Sequence, residues 1–330
     1  MQDKQIAVVT GANGFVGSHL VDNLLSKGLT VRCIVRESSN LRWLEGKNVE
    51  LFKTGLLDKE GLRKAFNNAD YIFHVAGVVK SKSKEGYFKG NVDTTRSLLE
   101  VALEFKSNLK RFLVVSSQTV TGPSTKDKPV DENTVPVPIT TYGKSKYEEE
   151  KLVLSYKDKL PITICRAPAV YGERDTEIFI YFQTFSKGIT TTIGFKKKEL
   201  SLIHAADLVE GFYLAAINEK AKGEIYFIGS EKFYTWQEIN SITSKVLNKK
   251  ALVIIVPHFL VFTIAAIAQF FAMFSKNPAT LNIEKAKDLT QQYWTCDTSK
   301  AVRDLGYKQK ISAEEGIRRT IDWYKKMKWF

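Results

Sequence analysis

The chain has 330 residues, of which 44% are apolar, 26% charged and 12% aromatic. At that length a folded chain buries roughly three-quarters of the surface its unfolded form exposes, so no metal or disulfide staple is required. The composition excludes wholesale disorder, a collagenous chain and a low-complexity one. The net charge is +13, but the lysines are spread along the chain and not massed with aromatics, which argues against a nucleic-acid partner.

Cys33, Cys165 and Cys296 form no CxxC pair and are odd in number, so they read as small buried hydrophobes in a reducing compartment. The four histidines show no ligand spacing, and no metal site is expected. The first residues carry no leader pattern, so a cytoplasmic location is expected, with membrane association on the cytoplasmic face left open by a later segment.

In chain order, residues 6–10 are a short apolar run ending at Gly11, a buried strand. Phe15, Val16, Leu20, Leu24 and Leu25 then recur at helical spacing until Gly28 stops the helix. Strands are expected at 31–35 and 49–52, then a helix capped by Asp58. Further strands are expected at 70–75, 111–116 and 161–166, and helices at 92–106 and 142–157. This alternation, with near-continuous apolar strands, predicts an α/β fold: a doubly wound parallel sheet with helices on both faces. After Tyr171 the pattern is mixed. A strand-like run returns at 224–228, and 313–323 is an amphipathic helix. The expected division is a dinucleotide-binding domain over 1–170, completed by about 203–230. Residues 171–202 and 231–330 form a smaller, mostly helical substrate region.

Between the first strand and helix stand Gly11, Asn13, Gly14, Phe15, Val16 and Gly17. Gly11 allows a tight turn, Gly14 lets the backbone approach a pyrophosphate, and Gly17 lets helix and strand pack closely. The spacing is G-x-x-G-x-x-G, and its place between strand and helix is what makes nucleotide binding the expected role. The second strand ends at Arg36, whose fork matches a 2′-phosphate, with Glu37 beside it; NADP is favoured, and NAD remains open.

Tyr142 and Lys146 are four residues apart, on one face of a helix. An ammonium near a phenol favours the phenolate and is expected to lower its pKa from about 10. Such a phenol can pass a proton to or from a carbinol oxygen during hydride transfer. Upstream, the 111–116 strand runs into Ser116 and Ser117 at the sheet's C-terminal edge, where ligands bind.

Together with His74-Val75-Ala76, Asn91, Arg166-Ala167-Pro168 and His204 to Asp207, these motifs resemble the extended short-chain dehydrogenases/reductases in order and spacing over nearly the whole chain. The chain is most similar to the 3β-hydroxysteroid dehydrogenase and dihydroflavonol reductase branch. The resemblance implies a Rossmann domain, Tyr142 as acid/base, Lys146 as its partner and ribose anchor, and Ser117 as donor to the substrate oxygen. Asn91 would join a proton relay or hold the helix that carries it. Leu56, Val75, Ala76 and Pro168 would line the cofactor cleft. It also implies a homodimer through the helices carrying Leu98 and Leu152. Three departures matter: Thr54-Gly55-Leu56 where the family commonly has Gly-Asp-Leu, Ala169 where sugar-nucleotide relatives carry Asn, and Gln118-Thr119 in place of the acidic pair of dehydratases. They favour alcohol/ketone redox over one alternative, a nucleotide-sugar epimerase or dehydratase with tightly held NAD. The branch it resembles implies a lipophilic substrate (sterol-, isoprenoid- or flavonoid-like). The intact Ser117, Tyr142 and Lys146 set argues against the other alternative, a non-catalytic cofactor-binding protein.

Residues 251–275 contain no Asp, Glu, Lys or Arg. Pro257 breaks the run and leaves 259–274 short of a span by roughly 4 residues. The segment reads as a lid over an apolar substrate, an interfacial membrane contact, or both.

Overall fold

The computed structural model describes residues 4–275 and 278–330. Six strands open the fold: β1 (Ile6–Thr10), β2 (Thr30–Val35), β3 (Glu50–Lys53), β4 (Tyr71–His74), β5 (Arg111–Ser117) and β6 (Ile162–Ala167). With strand Ile225–Phe227 they form one seven-stranded sheet in the order Ile225–Phe227, β6, β5, β4, β1, β2, β3. Every pairing is parallel. The order reverses between β1 and β4, and such a switch point opens a crevice at the strands' C-terminal ends.

Alternate side chains of each strand enter opposite cores. Ala7, Val9, Cys33, Phe73, Leu113 and Cys165 join one apolar cluster, which includes Leu20, Leu24, Leu208 and Phe212 of helices Phe15–Ser26 and Ala205–Ile217. Val8, Ile34, Ile72, Phe112, Val114 and Ile164 join the other, under helices Lys59–Phe66, Thr94–Ala102 and Thr141–Leu154. Strands buried on both faces explain the unbroken apolar runs in the sequence. All three cysteines are buried. Asp58 caps its helix as expected, accepting from the Glu60 and Gly61 amides.

Beyond Tyr171 the region is mainly helical, as its sequence implies, and short strands join the helices. Glu199–His204 is the centre of a second, four-stranded sheet, pairing with Ala169–Tyr171, Phe233–Thr235 and Tyr293–Trp294. Ile189–Ile193 and Leu252–Val256 form a separate parallel pair. Tyr171, Phe182, Leu202, Tyr234, Ile239 and Ile317 are the centre of this region's own core. Pro257 ends the Leu252–Val256 strand, and helix His258–Ala272 follows. Among the described residues no helix is long and apolar enough to cross a membrane.

Candidate active site

The glycine turn is set by close approaches. Gly11 has φ +67°, and a Cβ there would lie 2.8 Å from the Ala76 nitrogen; a Cβ on Gly17 would lie 2.0 Å from the Gly11 carbonyl oxygen. The Gly14 amide donates to that same carbonyl at 3.0 Å. The turn is thereby pressed against the end of β4, and the first helix starts at Phe15 with its free amides facing the crevice. Val16 packs on the first core, Phe15 meets the His19 ring edge-on at 5.6 Å, and the Asn13 amide reaches the Asn40 carbonyl at 3.4 Å.

Arg36 leaves the end of β2 exposed, with no hydrogen bond or ion pair on its guanidinium among the described residues. Its neighbours are committed elsewhere. Arg32 binds Glu50 and two backbone carbonyls, and Arg42 stacks on Trp43 at 4.2 Å. Leu56 is half-buried at the margin of the second core, Val75 packs on the first, and the Pro168 ring sits where a Cβ on Gly229 would be 3.1 Å away.

Helix Thr141–Leu154 carries Tyr142 and Lys146 and is fixed from several sides. Thr140 caps it by accepting the Gly143 amide. A Cβ on Gly143 would sit 2.6 Å from the Thr119 carbonyl oxygen, so only glycine lets the helix press on the turn after β5. Glu150 accepts a buried two-pronged contact from Arg166 of β6, at 3.0 and 2.7 Å. Asn91, fully buried in a π-helical turn at Lys89–Asp93, receives the Val78 amide at 2.7 Å and donates to the Val78 carbonyl and the Ser145 hydroxyl. Its amide is thus engaged in tying that helix to the segment after β4, as π-turns at functional sites often do.

Lys146 is 3% exposed; its ammonium donates to the Val115 carbonyl at 2.8 Å and pairs with Glu149, one turn along and fully buried. Glu149 Oε1 accepts from the Thr95 hydroxyl at 2.8 Å, His74 Nε2 lies 2.8 Å from the same hydroxyl, and His74 Nδ1 lies 2.7 Å from the Thr10 hydroxyl. The Ala76 amide donates to Thr10 at 3.2 Å. Burial and Lys146 push His74 down to about 3, so this ring is neutral. A continuous polar chain therefore links Lys146 to the glycine turn. Only Tyr142, Lys146, Ser117 and Asn91 stand out in the sequence; Glu149, Thr95 and the paired Glu150 do not, although the three-residue step from Lys146 to Glu149 is a local signal of contact.

One electrostatic expectation is overturned. The Tyr142 phenol lies above its usual value, not below it, because burial disfavours the phenolate. Lys146 and the Ser117 hydroxyl pull it down, while Glu149 and Asp288 push it up. The ammonium acts in the expected direction, but burial outweighs it.

The residues suit a dinucleotide. They offer a turn that side chains would fill, helix-terminal amides, a free arginine, and buried Ser116 Oγ, Gln118 Nε2 and Thr119 Oγ1 without partners among the described residues. Comparison with known proteins agrees. The chain is 26% identical to the ceramide reductase of Caulobacter vibrioides over 98% of this chain and 96% of that protein. It is 25% identical to the decarboxylating sterol-4-alpha-carboxylate 3-dehydrogenase of Dictyostelium discoideum over 94% and 98%. The crystal structure of UDP-glucuronic acid 4-epimerase from Bacillus cereus in complex with NAD superposes with a TM-score of 0.78 at 24% identity, covering 98% of this chain and 99% of that one. The sequence profile of the NAD dependent epimerase/dehydratase family matches residues 7–229, and the chain belongs to that family as an enzyme of the extended short-chain dehydrogenase/reductase type.

Proposed function

We propose that the protein is an NADP(H)-dependent oxidoreductase that interconverts a secondary alcohol and a ketone on a lipophilic small molecule. The observation that carries this reading is the convergence of Tyr142, Ser117 and the Lys146–Glu149 pair at the crevice beside the Gly11–Gly17 turn. When bound, the nicotinamide supplies or takes up the hydride. Tyr142 donates the proton that the new alkoxide requires in the reducing direction, or accepts it in the oxidising one. The Ser117 hydroxyl holds the substrate oxygen, and Lys146 holds a ribose hydroxyl and the phenol in register. Asn91 is a positioning residue that anchors their helix. Arg36 takes the 2′-phosphate.

Residues 171–202 and 231–330 supply the substrate side. The ceramide and sterol names of two relatives, and Ala169 at the mouth of β6, support a lipophilic substrate over a nucleotide sugar. The test is a panel of hydrophobic ketones at fixed NADPH, followed by loss of the reduced-nicotinamide absorbance. Consumption of NADPH with formation of the alcohol is expected. NAD that survives purification, with no net change on added substrate, would replace this reading with a recycling epimerase.

A further inference from the structure

We infer that residues 252–274 dock the protein peripherally onto an anionic lipid bilayer. The inference deepens the reading above and draws from it only the lipophilic substrate.

Strand Leu252–Val256 has one neighbour, Ile189–Ile193. Leu252 is 69% exposed, and Val253, Ile254 and Ile255 are likewise open. Successive side chains of a strand point to opposite faces, so this strand is uncovered on both. Helix His258–Ala272 meets the protein through Val261 and Ala265, which cluster with Ile193, Val256, Leu281 and Ala286, and through Gln269, which accepts the Ile283 amide. Most of the rest of its circumference is apolar and exposed: Phe259 is 72% exposed, Ile267, Phe270 and Phe271 are open, and Phe274 just past the helix is 78% exposed. Thr263, turned back to the Phe259 carbonyl, and Gln269 are the polar interruptions. A helix whose exposed side chains are this largely apolar belongs in a core or in lipid, and most of this one is not in a core. A second protein surface covers one face of such a ridge. A bilayer interface envelops it from several sides at once, and a helix of 15 residues is of interfacial and not spanning length.

The surrounding charge matches anionic headgroups. Lys249 and Lys250 precede the strand. Phe195, 79% exposed, and Lys196 follow Gly194, whose Cβ would strike the His258 ring at the helix start. At the far end Lys82 binds the Ser275 carbonyl. Lys197 is tied to Glu199, leaving Lys82, Lys196, Lys249 and Lys250 as the cationic rim. The ridge also adjoins the site. Lys82 follows the Val78 segment clamped by Asn91, and helix Ile283–Thr290, on which the ridge rests, offers Glu284 to the Thr141 amide at 2.5 Å. Through helix Ile283–Thr290, docking therefore brings the N-terminal end of the Tyr142 helix near the surface where lipophilic molecules reside.

The experiment is flotation of the full-length protein with vesicles of phosphatidylcholine alone or mixed with phosphatidylglycerol, at low and high salt, with NADPH titrated fluorometrically as a check of folding. Strong co-flotation with the anionic vesicles is expected, weakened by salt. The Phe259→Ser/Phe271→Ser protein is expected to lose on the order of tenfold or more in partition while binding NADPH normally. Lys196→Glu/Lys250→Glu is expected to abolish the preference for phosphatidylglycerol, and it carries the test if the aromatic variant fails to bind NADPH. No flotation on either vesicle overturns the inference. So does a vesicle-free dimer that the aromatic substitutions disperse, because the ridge is then covered by a second copy. Flotation needs no turnover, so a protein that floats but reduces no hydrophobic ketone sinks the functional reading and leaves this one standing.

Discussion

Lys146 and Glu149 form a buried ion pair one helical turn apart, with the ammonium also on the Val115 carbonyl and the carboxylate on the Thr95 hydroxyl. Glu149 thus compensates the charge that Lys146 would otherwise direct at the Tyr142 phenol. The groups facing the pair are few. His74 is neutral, and Glu150 is taken by Arg166. Removing one partner of a buried pair typically costs about 3–5 kcal/mol, and Glu149→Gln, which keeps a hydrogen-bonding group, is expected to cost less.

The pH consequence has a definite sign. Alcohol oxidation needs the phenolate and therefore rises with pH through the phenol's ionisation. Glu149 raises that ionisation and Lys146 lowers it. In Glu149→Gln the lysine acts unopposed, so the rising limb of kcat against pH for oxidation is expected to move to lower pH. An unmoved limb, with only lower thermal stability, would reduce Glu149 to a packing role.

Tyr142→Phe tests the proton step itself. General acid–base groups contribute about 10²–10⁴-fold in rate, and a loss of kcat in that range is expected. NADPH affinity measured by fluorescence titration should stay near normal, because the ring still packs 6.4 Å from Tyr87. Retention of turnover in the phenylalanine variant would exclude the phenol as proton donor.

Gly17→Ala probes the turn. The new methyl meets the Gly11 carbonyl oxygen at 2.0 Å, a backbone atom that cannot step aside. Overpacking of this kind costs about 1–3 kcal/mol, and in a chain of 330 residues each kilocalorie lowers Tm by roughly 1–2 °C. A drop of a few degrees with weakened cofactor binding is expected by calorimetry and titration. An unchanged Tm would mean that the helix and strand do not pack as closely as the turn requires.

Much of the first 167 residues is legible because strands such as Ile6–Thr10 and Tyr71–His74 are short, largely apolar runs and the helix after the glycine turn keeps its period. Strand 6–10 is found at Ile6–Thr10, and Asp58 caps where it was expected. The small strands after Tyr171 were not legible. Ile189–Ile193 carries three threonines, and Glu199–His204 pairs with partners from three distant segments, so no local period marks them. The acidic run Glu148–Glu149–Glu150 does not show in sequence which of its carboxylates are buried. At about 100° per residue its three carboxylates diverge, to Lys151, Lys146 and Arg166. Only the packing of the fold separates the surface pair from the two buried ones. The Asn91 contact was hidden for a related reason, since it depends on the π-turn at Lys89–Asp93, which shifts the helix register without a sequence mark.

The proposed preference for NADP rests on Arg36. Arg32 and Arg42 are already engaged, the one with Glu50, the other with Trp43. Glu37 lies 3.6 Å from Lys53 and is partly offset by it. That leaves Arg36 as the cation free to meet a 2′-phosphate. Hydrogen bonds to charged groups contribute about 1.5–3 kcal/mol, which corresponds to roughly ten- to a hundredfold in affinity. Arg36→Ala should therefore weaken NADP by that factor and leave NAD nearly unchanged, as read by titration of each. Equal losses for both cofactors would mean that Arg36 supports the turn and does not read the phosphate. The Glu37 carboxylate would then be the group facing the ribose, and NAD the cofactor of choice.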